Sequence, residues 1–186
     1  GGALVARVAR LRAEGNDVMG VVTDVSELAS VEHRRERADE EYGGVHVLGN
    51  NAGVGAGAEG KMWEHTLNDW GWGLSVNVWG VIHGIKAFVP AMLEGGDVGH
   101  VVNTSSGNGG IAPMTSTALY ATTKAAVPTY TVVLSGRLPS HAKRVGLPVL
   151  LPASDVLRPG SLYCAAMLDR TRATAQPPPP PSSSPA

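Results

Sequence analysis

Two hydrophobic periods exchange regularly along residues 1–153, and this exchange limits the fold more than any other feature of the chain. Leu4, Val5, Val8 and Leu11 recur at helical spacing, Gly15 is a stop signal, and "DVMGVVTDV" (17–25) is a short β-rich run. "SELASVEHRRERADEEYGG" opens on Ser26, a candidate N-cap, and closes on Gly43-Gly44, which predicts a helix with a polar face. "VHVLGNNAG" (45–53) predicts a strand that ends in a turn. The stretch 66–94 predicts a long helix capped by Thr66, with Pro90 near its last turns and Gly95-Gly96 at its end. A strand over 99–106, a helix over 118–138 and a strand over 145–153 follow. The strands are apolar nearly throughout, as strands buried on both faces are. The expected class is α/β with a doubly wound parallel sheet.

Composition narrows the function. The 186 residues suffice for one domain with a real core. A net charge of −1 favours neither nucleic acid nor an anionic membrane as partner. No uninterrupted apolar run approaches the roughly 20 residues of a membrane helix. The N-terminal stretch lacks the apolar centre of a signal peptide and reads as amphipathic helix. Cys164 stands alone, so an internal disulfide is excluded and a reducing, cytoplasmic compartment is expected. The six histidines show no metal-ligand spacing, and no metal is expected. The folded domain is expected to occupy 1–160. The segment 161–186 ends in "PPPPPSSSPA", which favours solvated polyproline II over a packed core.

Tyr120 and Lys124 stand four residues apart in "YATTK", on one face of the expected helix. A tyrosine is a poor acid–base group at neutral pH, with an ordinary pKa of about 10. A neighbouring ammonium stabilises the phenolate and lowers that value. The pair can then hand a proton to a carbonyl oxygen and take one from an alcohol. Alone, such a pair is an ordinary surface neighbour pair. Three further pieces accompany it. Ser105-Ser106 close the 99–106 strand at the edge where open α/β sheets place ligands. "NNAG" (50–53) closes the preceding strand at the same edge. Asn77, flanked by apolar residues inside a helix, is a candidate buried polar group.

With these pieces in order, the sequence resembles the short-chain dehydrogenase/reductase family over roughly residues 1–150. The matching pieces are Asp24-Val25 after a strand, "NNAG" at 50–53, "NVWG" at 77–80, "VVNTSS" at 101–106 and "YATTK" at 120–124. The resemblance implies a Rossmann-like fold and an oxidoreductase that moves hydride between NAD or NADP and a small carbonyl or alcohol substrate. It implies Tyr120 as the general acid/base. Lys124 lowers the Tyr120 pKa and bonds the nicotinamide ribose, and Ser106 orients the substrate oxygen. Asn77 holds the Lys124 side of a water-linked proton relay. Asp24-Val25 meets the adenine, and Asn50, Ala52 and Gly53 line the cofactor. Ser106 precedes Tyr120 by fourteen residues, one more than is commonest in the family, so Ser105 stays open for the same role. The family also associates through the helices equivalent to 66–94 and 118–138, which implies a homo-oligomer.

Four departures accompany the resemblance. Residue 1 aligns within the family's second helix, so the first two strands and their glycine-rich turn are expected to be missing and the sheet incomplete. The gap left between 17–25 and 45–53 is expected to be roughly 10 Å, two strand spacings. Gly55, Gly57 and Gly60 match G-x-G-x-x-G, but they follow the family's fourth strand and are expected to form a loop over the cofactor edge, not a phosphate cradle. Beyond Pro152 the family's Pro-Gly is replaced by Ala153 and Ser154, and the substrate-covering segment is unreadable. Pro128 falls inside the Tyr–Lys helix and is expected to bend or open it near 124–128, leaving Tyr120 and Lys124 on one side. The alternative to an active enzyme is a remnant without activity that serves only as an association module.

Overall fold

The computed structural model describes residues 2–55, 60–109, 113–138 and 145–146. Helix α1 spans Gly2–Ala13 and α2 spans Leu28–Tyr42; strand β1 is Val47–Asn50. A 3-10 turn at Met62–Glu64 leads to α3, Leu67–Leu74. A π-helical turn, Ser75–Trp79, passes directly into α4, Gly80–Glu94. Strand β2 is His100–Asn103, α5 is Ala118–Arg137 and β3 is Val145–Gly146.

The three strands are parallel in the order β1-β2-β3. Leu48 lies opposite Val101 and Asn50 opposite Asn103. These four side chains point to one face of the sheet, where α2, α4 and α5 pack. Val31, Leu48, Ala87, Phe88, Val89, Val101 and Leu138 form the core there. The other face is open at Val47, which is 66% exposed. The architecture is a parallel α/β sheet of the partial Rossmann kind, with α2, α4 and α5 layered on the core face.

The helix ends follow their sequence signals. Gly43 takes φ 77° and donates its N–H to Asp39 O, closing α2 in the left-handed conformation that only glycine adopts cheaply. Thr66 and Asp69 exchange bonds in a full capping box at the start of α3: the Thr66 hydroxyl accepts from Asp69 N, and the Asp69 carboxylate accepts from Thr66 N.

Four expectations are corrected. Residues 17–25 are not a strand: they alternate half-buried Val21, Thr23 and Val25 with exposed Val22 and Asp24, yet no main-chain bond joins them to β1. An extended segment without a ladder partner is not a sheet strand, and a groove of about 40 Å³ lined by Thr23, Val25, Leu48, Gly49 and Gly84 lies between the two stretches. Ser26 does not cap α2. Glu27 holds that position, and Ser26 bonds back to Asp24 Oδ1 through both its N–H and its hydroxyl. The stretch 66–94 is not a uniform α-helix, because the π turn interrupts it around Asn77. It is also long and apolar enough, by length and composition, to cross a membrane. Its Val81, Gly84, Ala87, Phe88 and Val89 are buried within the fold, as in a core helix. Finally, of the two outcomes expected at Pro128, a bend or an opening, the opening does not occur: α5 runs unbroken for 20 residues. Gly57, the strand expected beyond 146 and the segment 161–186 lie outside the described residues.

Candidate active site

Four chain segments converge beyond the C-terminal ends of β1 and β2: the turn 50–54, the residues 104–106, the π turn and the first turns of α5. Lys124 is their centre. It is 4% exposed, and its ammonium donates to Thr104 O at 3.0 Å. The Nζ lies 5.9 Å from the centre of the Tyr120 ring. The i, i+4 spacing therefore puts both groups on one side of α5, as expected. Burial lowers the Lys124 pKa below the ordinary lysine range, because desolvation penalises the ammonium. Among the described residues no carboxylate pairs with it. A buried, unpaired ammonium is costly, and such groups concentrate at functional sites.

Asn77 is wholly buried, and its side chain clamps the 50–54 turn. Its Oδ1 accepts from Val54 N at 2.8 Å, while Nδ2 donates to Val54 O and to Thr123 Oγ1, each at 2.9 Å. Thr123 in turn donates to Tyr120 O at 2.9 Å. Asn77 thus reaches the Tyr120–Lys124 turn through Thr123, a residue that sequence reasoning passed over. A threonine between Tyr and Lys carries no signal until its partner is known. The π turn was also missed. Such single-turn bulges cluster at functional sites, and here the bulge holds Asn77 toward the turn.

Ser105 and Ser106 part ways. Ser105 is 1% exposed, and its hydroxyl is spent on Lys124 O, to which it donates at 2.9 Å. Ser106 is half-buried, and its hydroxyl accepts from Asn108 N at 3.2 Å. Of the two, Ser106 is the one open to a ligand.

The expected cofactor residues divide similarly. Asn50 is turned into the protein: its Nδ2 donates to Asn103 Oδ1 at 2.8 Å, and Asn103 Nδ2 donates to Thr131 Oγ1. Gly84 admits it, since a Cβ there would stand 2.0 Å from Asn50 Oδ1. Only the main chain of Asn50 is left to face a ligand. Ala52 and Gly53 are exposed. A Cβ on Gly53 would lie 3.1 Å from Lys124 Nζ and 3.2 Å from Asn77 Oδ1, so the glycine keeps open the space before the ammonium. Asp24 is exposed on the turn ahead of α2, and the bonds from Ser26 hold its carboxyl below the usual range. Val25 packs on Gly80, and its carbonyl bonds His83 Nδ1 at 2.9 Å. Gly55 and Gly60 border residues outside the described ones; among the described residues after Gly60 the 3-10 turn at Met62–Glu64 comes first, and α3 begins at Leu67.

The fit to a nicotinamide nucleotide can be judged at Lys124. An ammonium has three donors. One is used by Thr104 O, and Gly53 leaves room for hydroxyl groups to meet the others. A ribose diol suits that arrangement.

The site thus joins a parallel α/β sheet to a buried lysine one turn after a tyrosine, beyond the strand ends. The chain belongs to the short-chain dehydrogenase family, whose model matches residues 2–150. It is 35% identical over 144 residues to a probable oxidoreductase, EphD, of Mycobacterium tuberculosis, covering 77% of this chain and 24% of that protein. It is 35% identical over 106 residues to 1-deoxy-11-beta-hydroxypentalenate dehydrogenase of Streptomyces avermitilis, covering 57% of this chain and 39% of that one. Among solved structures it resembles a short-chain dehydrogenase/reductase of Burkholderia phymatum in complex with NAD. That match has 38% identity and a TM-score of 0.74 and covers 92% of this chain and 66% of that one. The chain spans 24% to 46% of the length of these and similar curated relatives.

Proposed function

We propose that the chain forms the acid–base side of an NAD(P)-dependent oxidoreductase that interconverts a small carbonyl compound and its alcohol. The observation that carries this reading is the buried, carboxylate-free Lys124 ammonium beside Tyr120. The names of the relatives support the reaction class, and their greater length supports reading these residues as part of a longer enzyme.

A nicotinamide nucleotide, when bound, would supply or accept the hydride at the substrate carbon. Tyr120 gives its phenolic proton to the carbonyl oxygen during reduction and takes a proton from the alcohol during oxidation. Lys124 stabilises the phenolate by its charge and bonds the ribose with its free donors. Ser106 donates to the substrate oxygen and orients it. Asn77 keeps the 50–54 turn against Lys124 and stands on the lysine's side of the proton path. Asp24 and Val25 would hold the adenine, and Asn50 (by its main chain), Ala52 and Gly53 the ribose and nicotinamide side.

The partner is a small molecule. Trp72 and Trp79, each 53% exposed, and Val132 and Val133, 62% and 59% exposed, support association of copies through the 66–94 and 118–138 helices. The single cysteine supports a reducing, cytoplasmic setting. The near-neutral charge supports neither nucleic acid nor membrane as partner.

The test is Tyr120→Phe in the intact protein, followed by NADH and NADPH absorbance with a panel of aldehydes, ketones and secondary alcohols. Turnover falls by about 10²–10⁴-fold, the range of a lost general acid. A Tyr120→Phe protein with full turnover removes Tyr120 from the mechanism.

A further inference from the structure

We propose that Ser105 is a positioning residue: its hydroxyl replaces the main-chain donor that Pro128 takes from the catalytic helix, and so fixes where Lys124 stands. This rests on the reading above, in which Lys124 serves the reaction.

In an α-helix the carbonyl of residue 124 accepts from the N–H of residue 128. Proline has no N–H, and its ring crowds the carbonyl four residues back. Helix α5 nevertheless continues from Ala118 to Arg137. The Lys124 carbonyl is not left bare, because Ser105 Oγ donates to it at 2.9 Å. The surroundings leave no room for another side chain. A Cβ on Gly109 would stand 2.6 Å from both the carbonyl carbon and oxygen of Lys124. Ser105 itself is 1% exposed. An unpaired carbonyl in such a place is unfavourable.

The consequence concerns how the lysine is held. Thr104 O receives the ammonium at 3.0 Å, and the next residue, Ser105, holds the Lys124 backbone. The following residue, Ser106, is only half-buried and is the serine the proposed reaction uses. Three consecutive residues leaving β2 thus set both ends of Lys124 and the substrate-facing hydroxyl. The helix has given up its own bond at this point, and the strand end supplies the register between lysine and serine. Ser105 touches neither cofactor nor substrate and acts through Lys124 alone.

A double-variant cycle in the intact protein tests this with Ser105→Ala, Pro128→Ala and the two combined. Two quantities are read: the titration of Lys124 by NMR of ¹³Cε-labelled lysine, assigned with Lys124→Arg, and the affinity for NADH and NADPH by fluorescence titration. Ser105→Ala shifts the Lys124 titration and weakens nucleotide binding by about tenfold, the scale of one lost buried bond. Adding Pro128→Ala restores both, because the new amide N–H takes the carbonyl. Pro128→Ala alone leaves both near their original values. If Ser105→Ala alone does not fold, the comparison of Pro128→Ala with the double variant decides, and the two must agree. An unshifted Lys124 titration in Ser105→Ala, or a double variant as impaired as Ser105→Ala, overturns the proposal. If no nicotinamide nucleotide binds the parent protein, the functional reading fails, and the NMR titration still decides the role of Ser105.

Discussion

The lysine corner, beyond the ends of β1 and β2, and the 17–25 segment, beside β1, are held in opposite ways. At the corner, Val54, Asn77, Thr123, Thr104, Ser105 and Lys124 are tied by hydrogen bonds across four separate stretches of chain. Along 17–25 the main chain has no ladder, Val22 is 74% exposed, and the tethers are Arg12 to Val18 O, His83 to Val25 O and Ser30 to Asp24 N. The 17–25 stretch is rich in β-formers, whereas the corner is built of asparagine, threonine, serine and lysine. The difference teaches that a polar site can be self-supporting when its members satisfy one another. A strand depends on the strand beside it, whatever its own sequence prefers.

The comparison implies a gradient of sensitivity. Lys124→Met carries the largest effect, a fall in turnover of about 10²–10⁴-fold, together with a rise in thermal midpoint at neutral pH. The sign follows from the depressed lysine pKa. Between its folded and its ordinary value, the folded chain binds fewer protons than the unfolded chain, so parent stability climbs with pH through that window. Below it the ammonium penalty is complete. The advantage of Lys124→Met is therefore greatest at neutral pH and fades toward the ordinary lysine range, which differential scanning calorimetry across pH will show. A Lys124→Met protein less stable than the parent at neutral pH breaks the comparison at its centre.

Gly84→Ala comes next. Its methyl group would displace the Asn50 amide from Asn103, at a cost of about 1–3 kcal/mol in urea unfolding. The smallest effect is expected for Val22→Thr, within about 0.5 kcal/mol, as for a surface position without a special role. Amide exchange sharpens the same contrast: the amides of 18–23 exchange well before those of 101–103. Protection of 18–23 equal to that of β2 would mean that a ladder does form there.

These regions were also unequally legible in the sequence. The Thr66 cap, the Gly43 stop and the shared face of Tyr120 and Lys124 are local consequences of spacing and chemistry, and each stands where its residues predict. The 17–25 strand was misread because its alternation is real while its partner is not within reach. Ser26 looked like a helix cap because serine suits that position, but Asp24, two residues earlier, captured it. The π turn left no signature beyond an odd asparagine, since an i to i+5 bond favours no residue type. Ser105 and Ser106 are indistinguishable by composition. Only the third dimension reveals that Pro128 creates the vacancy one of them fills.

The buried lysine sets two kinds of selection against each other. Its charge is a burden on folding and, in the proposed reaction, the centre of the chemistry, so under that proposal the sequence that folds best and the sequence that works best differ at position 124. A library randomised at 124 and sorted only for thermal survival will drift toward Met and Leu. The same library sorted for turnover will return to lysine. Any lineage of this protein released from its catalytic duty should lose that residue early, and gain robustness as it does so.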